Sequence, residues 1–234
     1  SYSKNLLESS VNSQASKIEA WLEENLASMQ MAKNMIEKLH PDEAQLQTIL
    51  DASCGYSENY PEGLFLADAN GSFLKGTDSK KQEPNPSMWY QEGMTRVNMA
   101  VGSAHQNPDG TNVVSASGLL NDGSDTVRVI PADMTLDRIS VIVNSFIEMH
   151  DAEAFLVDKD SSVILASRDS DLISKTLGAD GQSAFYKDVE KKVSGKSYDF
   201  CTLDGNMTVF KEVNGTNWLL VSYVPTNVVL ADLV

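Results

Sequence analysis

The chain has 234 residues, of which 41% are hydrophobic, and this is enough for one large domain or two smaller ones. Its formal net charge of −15 disfavours nucleic acid or an anionic membrane surface as a partner, because phosphate groups would be repelled. The two cysteines, Cys54 and Cys201, are far apart, and neither has another Cys or a His at the spacing of metal ligands. The sequence therefore predicts no disulfide framework, no metal site and no cofactor.

A long helix is predicted over residues 1–40, a segment that contains neither Gly nor Pro. Its apolar residues recur at steps of three and four, which places them on one helical face. They are Leu7, Val11, Ala15, Ile18, Leu22, Leu26, Met29, Ala32, Ile36 and Leu39. Because such a helix is about 60 Å long, it is either a core helix with a frayed end or a stalk helix beside the same helix of a partner chain.

A second helix is expected from Pro41 to Gly55, since Pro suits a first helical position and Gly suits the stop. The stretch after it, "GLFLADANGSFLKG" (63–76), has turn residues between two apolar runs and predicts a β-hairpin. A similar stretch, "AFLVDKDSSVILAS" (154–167), follows at an offset of 90 residues. Further hairpins are predicted downstream, around Asn121-Asp122-Gly123 and Asn214-Gly215. The chain thus contains a weak internal repeat of hairpin, helical insert and hairpin.

Between the two copies, "DMTLDRISVIVNSFIEMH" (133–150) predicts a short connecting helix. The predicted fold class is therefore α+β, with a long N-terminal helix followed by two tandem antiparallel-sheet modules that carry helices. The expected boundaries are residues 1–40 for the helix, 41–135 for the first module and 136–234 for the second.

The sequence contains no pattern typical of a catalytic site. "VVSASG" (113–118) lacks the first Gly of a nucleophile elbow, and neither a phosphate-binding loop nor a dinucleotide fingerprint occurs. The Asp-rich turns at Asp68 and Asp158 lack the later Glu of a calcium loop, and Asx-turns explain them better. We therefore do not expect an enzyme, and a hydrolase hypothesis would rest on Ser115, Ser117 and His105 alone.

Four segments, in this order of elements, resemble the double-Cache (dCACHE) extracellular sensor domain of bacterial transmembrane receptors. They are "GLFLADANGSFL" (63–74), "PSMWYQEGM" (86–94), "VIPADMTLDRIS" (129–140) and "AFLVDKDSSVILAS" (154–167). The resemblance covers essentially the whole chain and implies two PAS-like modules, the first distal from the membrane and the second proximal to it. It also implies that the distal module binds a small molecule on the extracellular side of the membrane. Such receptors are chemoreceptors, histidine kinases or cyclic-dinucleotide enzymes, anchored by flanking segments that this chain lacks.

The resemblance assigns roles to individual residues. Trp89 and Tyr90 match the Trp-Tyr pair of the family, and Asp133 matches the aspartate that ends the last distal strand. In amino-acid-binding members an arginine two places before the Trp holds the ligand carboxylate, and Ser87 stands at that position here. A tyrosine five places before the arginine is also expected, and this chain has Gln82 there.

The pocket loop of the family, which often carries a Tyr and an Asp, corresponds to "SAHQNPDG" (103–110). The nearest substitutes in it are His105, Gln106 and Asn107, and Ser115 is included among the expected ligand contacts. Because a serine hydroxyl cannot replace a bidentate Arg–carboxylate contact, an amine, a nucleobase or another neutral or cationic ligand is expected. An amino acid or a carboxylate stays open if Arg128 points into the pocket.

Several alternatives stay open at this point. Trp89 is either a core anchor or a ligand contact, and Asp133 is either a pocket carboxylate or the cap of the connecting helix. In the second module, Trp218 and Tyr223 lie in an apolar run that predicts core packing, so no ligand is expected there. The alternative function is a structural ectodomain that binds no ligand and dimerises through the N-terminal helix.

Overall fold

The computed structural model describes residues 1–82 and 88–228 and divides the chain into two compact units. The first-sheet unit comprises Leu22–Thr135, and the second-sheet unit comprises Ser1–Trp21 together with Leu136–Val234. The helices are α1 (Tyr2–Leu39), α2 (Glu43–Ser53), α3 (Met88–Met94), α4 (Leu136–Ser145) and α5 (Ala184–Ser194), with one 3-10 turn at Ser170–Leu172. The strands are β1 (Phe65–Asp68), β2 (Phe73–Lys75), β3 (Ala100–Gln106), β4 (Asn112–Leu120), β5 (Arg128–Thr135), β6 (Glu153–Asp158), β7 (Ile164–Ala166), β8 (Cys201–Leu203), β9 (Asn206–Glu212) and β10 (Trp218–Pro225).

The long N-terminal helix forms as predicted, and its apolar stripe is buried. The fully buried members, each at most 3% exposed, are Leu7, Val11, Ala15, Ile18, Leu22, Met29 and Ile36. Leu39 is 66% exposed, because the helix ends at this residue and the chain turns away at His40 with a φ of 47°. The stripe is therefore a packing surface along nearly the full length of α1.

The second helix begins two residues later than the sequence predicts. Asp42 is the N-cap: its carboxylate accepts from the Gln45 backbone N–H at 2.8 Å, and the Gln45 side chain accepts from the Asp42 N–H at 2.9 Å. This capping box places Pro41 outside the helix. Gly55 follows the end of the helix with a φ of +76°, as predicted for a helix stop.

The first-sheet unit contains a five-stranded antiparallel sheet in the order β2-β1-β5-β4-β3. Both predicted hairpins are present, β1–β2 and β4–β5, and the register places Ser115 opposite Asp133 and Ser117 opposite Pro131. Because side chains alternate between the faces of a sheet, Ser115, Ser117 and Asp133 lie on the same face.

Helix α3 covers that face of the sheet. Trp89 belongs to a buried cluster with Phe65, Ala67 and Val129, and its carbonyl accepts from the Ser117 hydroxyl at 3.2 Å. A Cβ atom at Gly93 would lie 2.3 Å from Val129 Cγ1, so the glycine is what allows the helix to approach the strand this closely. The Trp-Tyr helix is thus fixed directly above the polar positions of β4 and β5.

The second-sheet unit repeats the same connectivity. Its five strands follow the order β7-β6-β10-β9-β8, which confirms the internal repeat and the α+β architecture of two tandem antiparallel-sheet modules predicted from the sequence. Phe185, Val189 and Val193 of α5 pack into a core cluster with strand residues such as Phe155 and Val221. Their spacing of four residues presents one apolar face of the helix to the sheet.

The connecting helix α4 is shorter than predicted. It begins at Leu136, so Asp133 lies inside β5 and not at the start of the helix. The alternative role of Asp133 as a helix cap is therefore wrong. Within the part of the chain that the structure describes, no helix combines the length and the apolar character needed to cross a membrane.

Candidate functional site

Asp133 carries a buried carboxylate near the end of β5 and is 8% exposed. Its Oδ1 accepts a hydrogen bond of 2.5 Å from the Ser115 hydroxyl on the adjacent strand. Its Oδ2 accepts from the Lys81 ammonium at 2.5 Å and from the Asn107 side-chain amide at 3.0 Å. Three donors, one of them a cation, thus compensate the cost of burying this charge.

Lys81 is the cation of the site, and its side chain is 3% exposed. Besides the bond to Asp133, its Nζ donates to Asn107 Oδ1 at 3.0 Å and lies 4.7 Å from the centroid of the Phe65 ring. Its backbone is held on both sides: its N–H donates to Ser79 Oγ at 3.2 Å, and its carbonyl accepts from Lys75 Nζ at 2.8 Å. The ammonium group is therefore positioned by a fixed main chain.

Sequence reasoning did not identify Lys81. It lies in "KKQEPNP" (80–86), where two adjacent lysines before a Pro-containing loop are typical of a solvated surface. No periodic pattern distinguishes the buried lysine from its neighbour, because a loop has no regular repeat of inward and outward positions. Asn107, named from the sequence as a substitute in the pocket loop, contacts both Lys81 and Asp133.

A cavity of about 230 Å³ lies beside this cluster. Its lining includes three carboxylates, Glu62, Asp109 and Asp133, and two lysines, Lys80 and Lys81. The backbone N–H of Thr111 is the main cause that lowers the pKa of Asp109, and the charge of Lys81 contributes. Gln82, at the position of the expected tyrosine, also lines this cavity.

With Lys81 paired to Asp133, the remaining lining charges are two carboxylates and one lysine, so the cavity carries a net negative charge. Glu62 accepts from the Lys80 backbone N–H at 3.0 Å, which holds this carboxylate beside the loop. Such a cavity favours a ligand that brings a positive group. Among the residues that the structure describes, no group of three or more His, Cys, Asp and Glu side chains suits a metal ion.

Trp89 and Tyr90 contribute an aromatic layer. Trp89 is 3% exposed, and its ring meets the Phe65 ring edge-on at 5.4 Å and the Tyr90 ring at 6.1 Å. Since Phe65 in turn lies under the Lys81 ammonium, Trp89 supports the ring that faces the cation. Tyr90 is half-buried at the edge of the same cluster. Ser87, predicted to replace the carboxylate-binding arginine, lies outside the described residues.

His105 lies next to Ser115, but the proton positions do not suit a nucleophile. Its Nε2 is 3.4 Å from Ser115 Oγ, and its Nδ1 is 3.2 Å from the Ser103 carbonyl. The Ser115 hydroxyl has a single proton and donates it to Asp133, so His105 does not receive it as a general base would. Gln106 is exposed, and its side chain donates to the Gly110 carbonyl at 3.0 Å across the β3–β4 turn.

Arg128 lies at the opposite end of β5 from Asp133 and forms an ion pair with Asp122 in the β4–β5 hairpin. Burial by itself raises the pKa of Asp122, but hydrogen bonds from Arg128 and Ser124 outweigh it and lower the pKa. Strand alternation also directs the Arg128 side chain to the other face of the sheet. The structure therefore brings Asp133, Ser115 and His105 together and keeps Arg128 apart from them.

The second-sheet unit has an aromatic ring where the first has this carboxylate. Asp133 is the sixth residue of β5, and Tyr223 is the sixth residue of β10. The Tyr223 ring lies 4.4 Å from the Phe185 ring, and its hydroxyl donates to Glu153 Oε2 at 3.1 Å. Burial raises the pKa of Tyr223, so the phenol stays protonated. The two sheets therefore share the same strand arrangement at this position, but the first has a carboxylate there and the second has a phenol.

The chain is similar to known proteins over most of its length. The model of a Cache-domain family, dCache_1, matches residues 1–233. The methyl-accepting chemotaxis protein McpG of Pseudomonas putida is 28% identical over 154 residues, which cover 64% of this chain. The matched region is 24% of McpG, so the chain spans about a quarter of that relative.

Solved structures show the same fold. The ligand-binding domain of the Pseudomonas fluorescens chemoreceptor CtaA with L-leucine matches with a TM-score of 0.76 and 20% identity, covering 97% of this chain and 96% of that one. The domain of Pseudomonas aeruginosa PctB with L-Arg has a TM-score of 0.72 and 18% identity, and covers 97% of both chains. That of Pseudomonas aeruginosa PctC with GABA has a TM-score of 0.69 and 22% identity, covering 95% of this chain and 99% of that one.

Proposed function

Because the chain belongs to the dCache_1 family of Cache domains, we propose that it is the ligand-binding sensor domain of a bacterial transmembrane receptor. The observation that carries this proposal is the buried Asp133 carboxylate, held by Lys81, Ser115 and Asn107 beside a cavity in the first-sheet unit. Buried charged groups that converge on a cavity are typical of a binding site.

The proposed ligand is a small organic metabolite. A cavity of about 230 Å³ is smaller than the pockets of roughly 300–1,000 Å³ that hold drug-sized molecules, which favours a compact ligand. L-leucine, L-Arg and GABA, named with the similar chemoreceptor domains, each contain an amine and a carboxylate. The net negative lining of this cavity attracts the ammonium group of an amine or an amino acid, does not repel a neutral nucleobase, and disfavours a simple carboxylate.

The proposed topology places this domain on the extracellular side of the membrane. Residues 41–135 would form the membrane-distal module that binds the ligand, and residues 136–234 the membrane-proximal module, with α1 as the helix that links sensing to output. Flanking membrane segments would anchor the receptor. Similarity to McpG supports a chemotaxis receptor as the output.

A metabolite screen tests the binding function. The purified 234-residue chain is heated in the presence of amines, amino acids, carboxylates and nucleobases, and hits are titrated calorimetrically. A ligand that binds the folded state raises Tm. We expect Asp133→Asn to remove binding, because the charged centre of the site is lost. Asp158→Asn is the matched control, since Asp158 is also buried but lies in the second-sheet unit. Binding that survives Asp133→Asn contradicts this site, and no hit from any class contradicts the proposal.

As a second proposal, two copies of the chain form a homodimer through α1. This dimer would also form if the domain is a structural ectodomain that binds no ligand. Met31, Met35 and Leu39 recur at steps of four on α1 and are 61%, 46% and 66% exposed. Apolar residues at this spacing form a stripe that a second copy of the helix would cover. Sedimentation of the wild type against Met35→Glu tests it, and a wild type that is monomeric at high concentration rejects it.

A further inference from the structure

The Lys81 ammonium occupies a cage with the chemistry of an ammonium-binding site. Asp133 Oδ2 lies 2.5 Å from it, Asn107 Oδ1 lies 3.0 Å from it, and the Phe65 ring centroid lies 4.7 Å from it. A carboxylate, an amide oxygen and an aromatic face are the groups that recognise a free alkylammonium ion. The cage is therefore complete, and the protein's own side chain fills it.

We infer that Lys81 is an internal ligand, and that the ammonium group of a primary-amine ligand displaces it from the cage of Asp133, Asn107 and Phe65. The inference rests on the proposed function and names the ligand class and the regulation of the same site. Lys81 then sets the selectivity of the sensor for cationic ligands. When its ammonium leaves Asp133, a ligand must supply another positive charge in its place.

Charge favours this exchange over the binding of an anion at Lys81. An incoming ammonium takes over the contacts of the departing one, so the buried Asp133 carboxylate is neutralised both before and after the exchange. An incoming carboxylate would instead lie in the same cavity as Glu62, Asp109 and the buried Asp133, and these like charges would repel it.

The Lys81 side chain has a path out of the cage. Its backbone is held by Ser79 and Lys75, so only the flexible side chain has to move. Lys81 itself lines the cavity of about 230 Å³, together with Glu62 and Asp109. These two carboxylates offer the displaced ammonium a new partner in a more solvated position, so Lys81 is again paired while the ligand ammonium pairs with Asp133.

The competition lowers the apparent affinity for amines. If the cage is open in only a small fraction of molecules, the apparent Kd rises by the inverse of that fraction. Removal of the Lys81 ammonium should therefore tighten the binding of amines and leave the binding of uncharged molecules unchanged.

The experiment compares n-propylamine, 1-propanol and propionate as probes, by calorimetric titration and thermal shift, on the wild type and on Lys81→Met. The Lys81→Met variant keeps most of the apolar stem but leaves the cage empty. We expect n-propylamine to bind it at least about tenfold more tightly than the wild type, and we expect no gain for the other two probes. The Lys81→Gln variant, which keeps a hydrogen-bond donor for Asp133, should show the same direction if Lys81→Met does not fold.

The double variant Lys81→Met/Asp133→Asn is the control for the cage, because it removes both the ammonium and the carboxylate. It should not show the tighter binding of n-propylamine that we expect for Lys81→Met. The inference is overturned if Lys81→Met and Lys81→Gln both bind n-propylamine no more tightly than the wild type does. A stronger gain for propionate than for n-propylamine also overturns it, since Lys81 would then not be the competitor.

The screened metabolites separate this inference from the proposed function. If they bind the wild type through Asp133 but none binds Lys81→Met more tightly, only the displacement of Lys81 is rejected. If no metabolite binds while n-propylamine binds Lys81→Met, the proposed sensor function is rejected and the ammonium cage is supported.

Discussion

Ser115 and Asp133 face each other across β4 and β5, and the Ser115 hydroxyl donates to Asp133 Oδ1 at 2.5 Å. The pair is buried, with Ser115 2% and Asp133 8% exposed. The bond fixes one carboxylate oxygen, so the other is directed at Lys81 and Asn107. A hydrogen bond between neighbouring strands therefore orients the charged centre of the candidate site.

Substitution Ser115→Ala should lower the free energy of unfolding by about 1.5–3 kcal/mol, the usual range for a hydrogen bond to a charged group. Ser117→Ala is the matched control on the same strand and face. Among the described residues, the Ser117 hydroxyl bonds to the neutral Trp89 carbonyl alone, at 3.2 Å, and its loss should cost about 0.5–1.5 kcal/mol. Urea denaturation measures both, and a smaller loss for Ser115→Ala than for Ser117→Ala would contradict this account.

Gly93→Ala should destabilise the protein, although alanine is the better helix former. The added Cβ would lie 2.3 Å from Val129 Cγ1, and relief of such a clash costs about 1–3 kcal/mol. In an exposed helix the same change would stabilise by about 0.8–1 kcal/mol. In a double-mutant cycle, Val129→Ala should be less harmful in the Gly93→Ala background than alone, because it removes the clashing methyl groups. An additive pair, or a Gly93→Ala variant more stable than the wild type, would show that α3 does not press on β5.

The Asp122–Arg128 pair should make stability depend on pH in the acid range. Burial raises the pKa of Asp122, but the bonds from Arg128 and Ser124 lower it below the ordinary value of 3.8. A lowered pKa in the folded state contributes stability above pH 3.8, and this contribution is lost as the pH falls through the folded-state pKa.

Asp122→Asn removes this contribution and provides the measurement. The difference in unfolding free energy between the wild type and Asp122→Asn should be largest above pH 3.8 and should shrink as the pH falls below this value. Asp158→Asn is a control in the β6–β7 turn of the other sheet, where Asp158 also accepts two backbone N–H groups and belongs to no ion pair among the described residues. If the Asp122→Asn difference stays constant as the pH falls below 3.8, the Asp122 pKa is not lowered.

Both thiols should react slowly with alkylating reagents. Burial raises the pKa of Cys54, and the nearby carboxylates of Glu62, Asp78 and Asp51 raise this pKa further. Burial also raises the pKa of Cys201. Since the thiolate is the nucleophile, iodoacetamide at pH 8 should modify the folded chain several-fold more slowly than the chain in denaturant. The variants Cys54→Ser and Cys201→Ser resolve the two rates by mass spectrometry. Equal rates in the folded and denatured chains would show that the pKa values of the two thiols are not raised by folding.

Local sequence patterns anticipated most of the fold. The apolar spacing of α1, the turn residues of the hairpins β1–β2 and β4–β5, and the repeat between the two sheets depend on neighbours in the chain. Boundaries were less accurate where a side chain competes for the backbone, as with the Asp42 capping box that excludes Pro41 from α2. The position of Asp133 inside a strand also differed from one of its two expected roles, because the strand continues until the residue before α4.

The sequence by itself determined the α+β class, the tandem repeat, and the candidates Asp133, Ser115, Trp89 and Tyr90, since periodicity, turn chemistry and family resemblance are all written along the chain. Only the tertiary structure decided that Asp133 is paired with Lys81, 52 positions away, and that Arg128 is turned to a different partner. The physical reason is that a buried charge must find its counter-charge in space. A lysine in a loop without periodicity carries no sign of which carboxylate the fold will bring to it.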